Sequence, residues 1–249
     1  MKYFLLITVL GLSTATYASD SKTKLRVAVA SNFLATLSEL KTVFEKNHEV
    51  KILLSGASSA KLYAQIENGA PYDIFFSADT MFPEKLIKNG KADSESRFNY
   101  AIGSLVLWSS NSQVDVKEKL ESHQKVKRIA IANPKVAPYG EAAKQTMEKL
   151  GVWKSYKRKT VYGESVGQAF QFVATGNAQL GFVALSQVLS PMNQINRKRY
   201  WLVPSSYHTP LDQEVVILKR TKNSIAAKQF LSFIKSDDAK SIMDKYGYR

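Results

Sequence analysis

Four short segments of the chain place small polar residues where a predicted strand gives way to a predicted helix. They are residues 30–33 (ASNF), 56–61 (GASSAK), 137–142 (APYGEA) and 163–168 (GESVGQ). The first N–H groups of a helix lack an intrahelical partner and carry a partial positive charge, so these junctions suit a bound anion. Ser and Asn are also common N-cap residues, and capping is the ordinary interpretation of any one junction. The four junctions together favour an anion site.

The elements that must position these junctions alternate between strand and helix. Residues 24–30 (KLRVAVA) predict a buried strand, and residues 33–47 carry apolar side chains at helical spacing, at Phe33, Leu37, Leu40 and Phe44. Further strands are predicted within residues 50–55, 72–78, 128–134 and 180–186, with helical segments between them. Such alternation predicts an α/β fold whose parallel strands are joined by helical crossovers.

Two β-like segments join two such α/β series. Residues 98–108 (FNYAIGSLVLW) predict one long strand that leaves the first sheet, and residues 213–220 (QEVVILKR) predict the return. We therefore expect lobe 1 over residues 19–101, lobe 2 over residues 102–214, and a return to lobe 1 over residues 215–249. A ligand would bind in the cleft between the lobes, at the carboxyl ends of the strands.

Residues 1–18 predict a signal peptide. Lys2 gives a positive start, the apolar stretch that follows is too short to cross a bilayer, and small residues lead to Ala18. We expect export and cleavage near Ala18, with an uncleaved anchor or an ordinary first strand as the alternatives. The chain contains 0 cysteines, which excludes thiol catalysis, thiolate metal sites and disulfides.

The chain is basic, with 35 Lys and Arg against 21 Asp and Glu and a formal net charge of +14. This balance suits nucleic acid, anionic lipid or an anionic ligand. Nucleic acid would require clustered basic residues with stacking aromatics, whereas these lysines are dispersed, so we expect no nucleic-acid partner. His48, His123 and His208 lie far apart without metal-ligand spacing, so we expect no metal cation site.

Several longer segments resemble the periplasmic molybdate-binding proteins, the substrate-binding subunits of ATP-binding-cassette importers. They are VAVASNFLATLSEL, GASSAKLYAQIENGAPYDIFFSAD, FNYAIGSLVLW, IAIANPKVAPYGEAA and LGFVALSQV, and they cover nearly all of the expected mature chain in order. The resemblance implies the two-lobed periplasmic binding protein fold (type II), with two crossing strands and an interlobe cleft. It implies a monomeric, periplasmic, non-enzymatic protein without a cofactor, which binds molybdate or tungstate and delivers it to a membrane permease.

The resemblance also nominates a set of ligand-binding residues. They are Ser31, Asn32, Ser58, Ser59, Ala78, Tyr139 and Val166, the last two through their backbones. Some family members have a tyrosine that contacts the anion where this chain has Ala184, so we expect the Asn32 side-chain amide to compensate. Asp79 would repel a dianion, and we expect it to point away and cap the helix that follows.

Two alternatives stay open at this point. The first is a relative retuned to sulfate, chromate, or a small phosphorylated or carboxylated metabolite. The second is an envelope hydrolase that uses Ser59 as its nucleophile. Ser59 lacks a G-x-S-x-G elbow, and no histidine occurs in the four junctions, so the sequence favours a binding protein.

Overall fold

A computed structural model describes residues 22–122, 126–195 and 199–249. The predicted signal peptide, its cleavage near Ala18, and His123 lie outside the described residues. Within those ranges, no helix combines the length and the hydropathy that crossing a membrane requires.

Lobe 1 is built on a mixed sheet with helices on both faces. Its strands are β1 (Thr23–Ala30), β2 (Val50–Ala57), β3 (Ile74–Phe76), β4 (Phe98–Ile102) and β10 (Asp212–Ile217). In the sheet order β2-β1-β3-β10-β4, strands β2 and β3 run parallel to β1, and β10 runs antiparallel to β3 and β4. Its helices are α1 (Leu34–Asn47), α2 (Ser59–Glu67), α3 (Met81–Lys88), α9 (Ser224–Ile234) and α10 (Asp237–Lys245), with a 3₁₀ turn at Ser94–Ser96.

The apolar stripe predicted on the first helix is confirmed. Phe33, Leu37, Leu40 and Phe44 are at most 1% exposed and form part of the core on one face of the lobe 1 sheet. Helices α9 and α10 pack on the same face. A second buried cluster, with residues of α2 and α3, covers the opposite face. The sheet is therefore covered on both faces, which leaves the strand ends open to a ligand.

Lobe 2 repeats this arrangement on a second mixed sheet. Its strands are β5 (Leu105–Trp108), β6 (Ile129–Ala132), β7 (Thr160–Gly163), β8 (Leu180–Ala184) and β9 (Tyr200–Leu202). In the order β7-β6-β8-β5-β9, strand β6 is parallel to β7 and β8, and β5 is antiparallel to β8 and β9. Its helices are α4 (Val116–Glu121), α5 (Pro138–Lys149), α6 (Trp153–Tyr156), α7 (Val166–Ala174) and α8 (Leu185–Leu189), with a 3₁₀ turn at Ser205–Tyr207.

The connections between the lobes differ in detail from the prediction. The single strand expected over residues 98–108 is two strands, because β4 ends at Ile102 in one sheet and β5 begins at Leu105 in the other. On the return, β10 pairs with lobe 1 strands from Asp212 onward. The division of the chain at residues 102 and 215 stays a prediction, and the pairing of β10 favours placing the second boundary before Asp212.

Candidate anion-binding site

The four strand-to-helix junctions converge on one small cavity between the lobes. Lobe 1 contributes residues 30–32, 57–59 and Ala78, and lobe 2 contributes residues 137–139 and Val166. These segments follow the carboxyl ends of β1, β2, β3, β6 and β7. Every ligand-binding residue nominated from the sequence lines this cavity: Ser31, Asn32, Ser58, Ser59, Ala78, Tyr139 and Val166. The structure therefore brings the nominated residues together, and their role as ligands stays a prediction.

Three helices begin at the cavity wall and direct their dipoles toward it. Ser59 is the first residue of α2, Pro138 of α5 and Val166 of α7. The first N–H groups of each helix have no intrahelical acceptor. Pro138 has no N–H, so Tyr139 supplies the first free amide of α5. The described residues that line the cavity carry no charged side chain, so an anion would be stabilised there by amide and hydroxyl dipoles.

Two serine hydroxyls are oriented so that their protons remain available. Ser59 Oγ accepts a hydrogen bond from the backbone N–H of Ala78 at 3.0 Å, and Ser31 Oγ accepts from Gly167 N–H at 3.1 Å. A hydroxyl that accepts in this way still has one proton to donate. Since Gly167 belongs to α7 of lobe 2, the Ser31 contact also joins the two lobes.

Capping does not explain the serines that line the cavity. Ser58 is the N-cap of α2, yet its side chain makes no capping hydrogen bond. Ser31 and Ser59 bond to amides of other elements instead. At the fourth junction Ser165 does cap α7, accepting from Gln168 N–H at 3.3 Å. The interpretation as simple caps therefore holds for Ser165 and fails for the serines in the cavity wall.

The expected role of the Asn32 side chain is not what the structure shows. Its Nδ2 donates to Gln213 Oε1 at 2.8 Å and to Tyr248 OH at 3.1 Å, which uses both amide protons behind the cavity. Ala184, where some family members have a tyrosine, is fully buried at the end of β8. The Asn32 side chain is thus unable to supply the donor that such a tyrosine would give. Any contact of Asn32 with an anion would come from its backbone.

Asp79 caps the following helix, as predicted. Its Oδ1 accepts from Phe82 N–H at 2.9 Å. Burial raises the pKa of the Asp79 carboxyl from its ordinary value of 3.8 to about 6, and the hydrogen bond from Phe82 only partly opposes this. A carboxylate so close to the cavity wall is therefore destabilised even before an anion binds.

Asp79→Asn is expected to change how stability depends on pH. The raised pKa means that the folded protein binds more protons than the unfolded chain between about pH 3.8 and 6, so wild-type stability falls as pH rises through this window. Asn cannot ionise and keeps the capping acceptor. Between pH 4 and 7 the free energy of unfolding of the wild type should fall by about 1–3 kcal/mol relative to the variant, as measured by urea unfolding.

A matched control for this prediction is Asp115→Asn. Asp115 caps α4 from an exposed position, accepting from Lys117 N–H at 3.0 Å and from Glu118 N–H at 2.9 Å. Asp115→Asn should not reproduce the trend, because the Asp115 side chain is exposed to solvent, whereas the carboxyl group of Asp79 is largely buried. A constant difference between wild type and Asp79→Asn at every pH would contradict the argument.

An ion pair bridges the lobes outside the cavity. Lys61 Nζ lies 3.1 Å from Glu164 Oε2, and the two side chains are 56% and 75% exposed. Pairs this exposed contribute little, since water and salt screen them. Lys61 and Glu164 are therefore already paired with each other in this arrangement.

The polar residues that lie behind the cavity were not predicted from the sequence. Gln213 is 0% exposed, and Tyr100, Ser186 and Tyr248 are also buried. The sequence of β10 does contain a sign that Gln213 is buried. Burial alternates along the strand from Asp212 to Val215, and Gln213 occupies an inward position. A lone amide on an otherwise apolar strand face indicates a hydrogen-bonded role, since buried polar groups require partners.

Comparison with known proteins gives consistent matches over the described chain. The family model described as bacterial extracellular solute-binding protein matches residues 25–249. The molybdate-binding protein ModA of Azotobacter vinelandii is 41% identical over 244 residues, which covers 98% of this chain and 96% of the relative. The molybdate-binding protein ModA of Rhodobacter capsulatus is 40% identical over 222 residues, covering 89% of this chain and 86% of the relative.

A solved structure matches as well. The Azotobacter vinelandii periplasmic molybdate-binding protein superimposes with a TM-score of 0.85 at 42% identity, over 90% of this chain and 98% of that chain. The predicted two-lobed type II fold is confirmed by this match and by the two mixed sheets.

Proposed function

Because the chain belongs to the bacterial extracellular solute-binding protein family, we propose that it captures molybdate in the cavity between its lobes. It delivers the anion to the permease of an ATP-binding-cassette importer, and it acts as a binding protein, not an enzyme. The observation that carries the proposal is the convergence of helix starts and serine hydroxyls on one cavity without charged side chains.

Molybdate fits this cavity because a fully deprotonated tetrahedral dianion accepts hydrogen bonds in every direction. The donors are the hydroxyls of Ser31, Ser58 and Ser59 and the amides of Tyr139 and Val166, with the Asn32 backbone and Ala78 completing the wall. Hydrogen bonds from neutral donors to an ionised oxyanion are short and strong. A rigid shell of such dipoles replaces the water that the anion loses. Tungstate has the same shape and charge, so we propose that it binds as well.

The relatives also support a location and a partner. A solved relative is named as periplasmic, and we propose that this protein is exported to the same compartment after removal of residues 1–18. A monomer is proposed, because a single chain supplies both walls of the cavity. The alternative of a hydrolase finds no support: neither described histidine, His48 or His208, lines the cavity.

Anion selectivity tests the proposal. We expect molybdate and tungstate to bind tightly in titration calorimetry, and hydrogen phosphate to bind at least about tenfold more weakly. Hydrogen phosphate carries a proton that donor groups cannot accept, and an unmatched buried pair costs about 1–3 kcal/mol. Sulfate carries no proton but is smaller, so it should lose contacts and fall between.

The outcomes of this titration are distinct. Phosphate that binds as tightly as molybdate would contradict a cavity made of donors. Sulfate or chromate as the tightest ligand would favour a retuned relative of the molybdate-binding proteins. Absence of molybdate binding would overturn the proposed function.

A further inference from the structure

One buried side chain contacts both halves of the proposed anion site. Gln213 Oε1 accepts from Asn32 Nδ2 of lobe 1 at 2.8 Å, and Gln213 Nε2 donates to Tyr139 OH of lobe 2 at 3.3 Å. Asn32 and Tyr139 both line the cavity. We infer that Gln213 is a positioning residue that couples the two anion-binding walls, an inference that rests on the proposed function.

An irregularity in the sheet lies beside Gln213. Strand β10 pairs Gln213 with Ala101 but Glu214 with Asn99, which leaves Tyr100 as an extra residue in β4. Such a bulge re-aims side chains locally. The Tyr100 hydroxyl lies 2.8 Å from Gln213 Oε1 and 3.1 Å from the Ser77 carbonyl oxygen, two acceptors that share its single proton. Because Oε1 accepts from Asn32 Nδ2, the amide is held with its Nε2 toward Tyr139.

The contact between Gln213 and Tyr139 lies beside the chain connection that joins the lobes. Gly103 follows β4 directly, and a Cβ atom there would overlap both Tyr139 OH and Gln213 Nε2. Only glycine leaves space for this hydrogen bond. This hydrogen bond (the bridge) crosses from the lobe 1 sheet to α5 of lobe 2, so its length depends on the angle between the lobes.

In this arrangement Gln213 is fully buried, so its amide donor depends on Tyr139 for a partner. Unpaired buried polar groups are costly, so the hydrogen bond favours the arrangement in which the lobes meet. An anion held by both lobes favours the same arrangement. The Gln213–Tyr139 hydrogen bond and the bound anion therefore stabilise the same arrangement of the lobes, so the hydrogen bond increases the affinity for the anion.

A second contact shows that Asn32 is tied to lobe 2 from its other side. Ser186 Oγ donates to the Asn32 carbonyl oxygen at 2.8 Å, and Tyr248 OH donates to the same oxygen at 2.9 Å. Asn32 is thus held through both its backbone and its side chain. In this group, Gln213 is the residue whose amide donates to Tyr139 OH, and the Asn32 side chain also interacts with that hydroxyl on the opposite wall of the cavity.

Gln213→Met is expected to weaken molybdate binding by about 10- to 100-fold, because it removes the two hydrogen bonds that link Asn32 to Tyr139, together with the contact to Tyr100, while nearly keeping the side-chain volume. Tyr139→Phe removes only the hydroxyl, leaves the backbone donor in place, and should weaken binding by about 3- to 10-fold. If the bridge acts as a unit, the double variant should bind within about threefold of Gln213→Met alone. Titration calorimetry with molybdate measures all three.

The matched control is Gln179→Met. Gln179 Oε1 accepts from Lys127 N–H at 3.1 Å and Arg128 N–H at 2.8 Å, so this change also removes two hydrogen bonds, away from the cavity. Its molybdate affinity should stay within about twofold of wild type. Urea unfolding without molybdate shows whether each variant is folded, and a purely structural role for Gln213 would lower stability without the predicted non-additivity.

The results separate this inference from the proposed function. Wild-type protein that binds molybdate, together with a folded Gln213→Met variant of unchanged affinity, overturns the coupling and leaves the proposed function in place. Effects of Gln213→Met and Tyr139→Phe that multiply also overturn it. If Gln213→Met does not fold, an unchanged affinity of Tyr139→Phe overturns it. Wild-type protein that does not bind molybdate overturns the proposed function and this inference with it.

Discussion

Substituting Val166 by proline is expected to weaken molybdate binding by about 100-fold while α7 remains folded. Val166 is the first residue of α7, where proline is well tolerated because its missing N–H has no intrahelical acceptor. The preceding Ser165 is extended, with φ −148° and ψ 165°, as a residue before proline must be. The loss of a donor to a charged acceptor costs about 1.5–3 kcal/mol, and the proline ring also intrudes on the anion. Calorimetry measures the change.

A proline at another helix start provides the control. Asp237 is the first residue of α10, and the preceding Ser236 is also extended, with φ −70° and ψ 159°. Asp237→Pro therefore makes the same backbone change away from the cavity, and the molybdate affinity should be unchanged. Equal affinities of Val166→Pro and wild type would contradict the assignment of the Val166 amide as a donor.

The basic composition of the chain and the neutral cavity serve different steps. The formal net charge is +14, yet the described residues that line the cavity carry no charge. A distributed positive surface raises the rate at which anions arrive but does not distinguish one anion from another. Selection among anions requires donors at fixed positions, and serine hydroxyls and helix amides provide these without the mobility of a lysine side chain. The net positive charge therefore affects how fast anions reach the protein, and the fixed donors of the cavity determine which anion is bound.

Local sequence patterns were sufficient to predict much of this fold. The stripe of Phe33, Leu37, Leu40 and Phe44 identified α1. Such features depend on residues a few positions apart, and their period is visible in one sequence. The junctions were found for the same reason, since a strand, small polar residues and a helix follow one another directly.

The hydrogen-bond network of Asn32, Gln213 and Tyr139 behind the cavity could not be predicted from local sequence patterns. Asn32 and Gln213 are separated by 181 residues in sequence, and Gln213 and Tyr139 by 74. Helical and strand periodicity relate residues only a few positions apart, so neither indicates that these side chains meet. The sequence therefore suggested that the Asn32 amide faces the anion, whereas the folded chain turns that amide toward Gln213. Which atom of a cavity residue faces a ligand is decided by distant partners, and a single sequence does not contain them.

Substitutions of Ser59 and Lys61 are expected to have very different effects on molybdate affinity. Both belong to α2, one turn or less apart, but only Ser59 lines the cavity. Because Ser59 Oγ accepts from Ala78 N–H at 3.0 Å, its proton is free for the anion. Ser59→Ala should therefore cost about 1.5–3 kcal/mol of molybdate binding free energy, the range for a hydrogen bond to a charged group.

Lys61→Ala is expected to cost less than about 1 kcal/mol, because an exposed ion pair contributes little and salt screens it. Lys61 already pairs with Glu164 at 3.1 Å and is 56% exposed, so its removal also frees a carboxylate that water can solvate. Calorimetry of both variants at low and at physiological salt distinguishes binding by neutral donors from binding by a lysine. Affinity carried by neutral donors should change little with salt, whereas affinity carried by lysine should fall as salt rises. A Lys61→Ala defect larger than that of Ser59→Ala would show that a cation, not a shell of neutral donors, holds the anion.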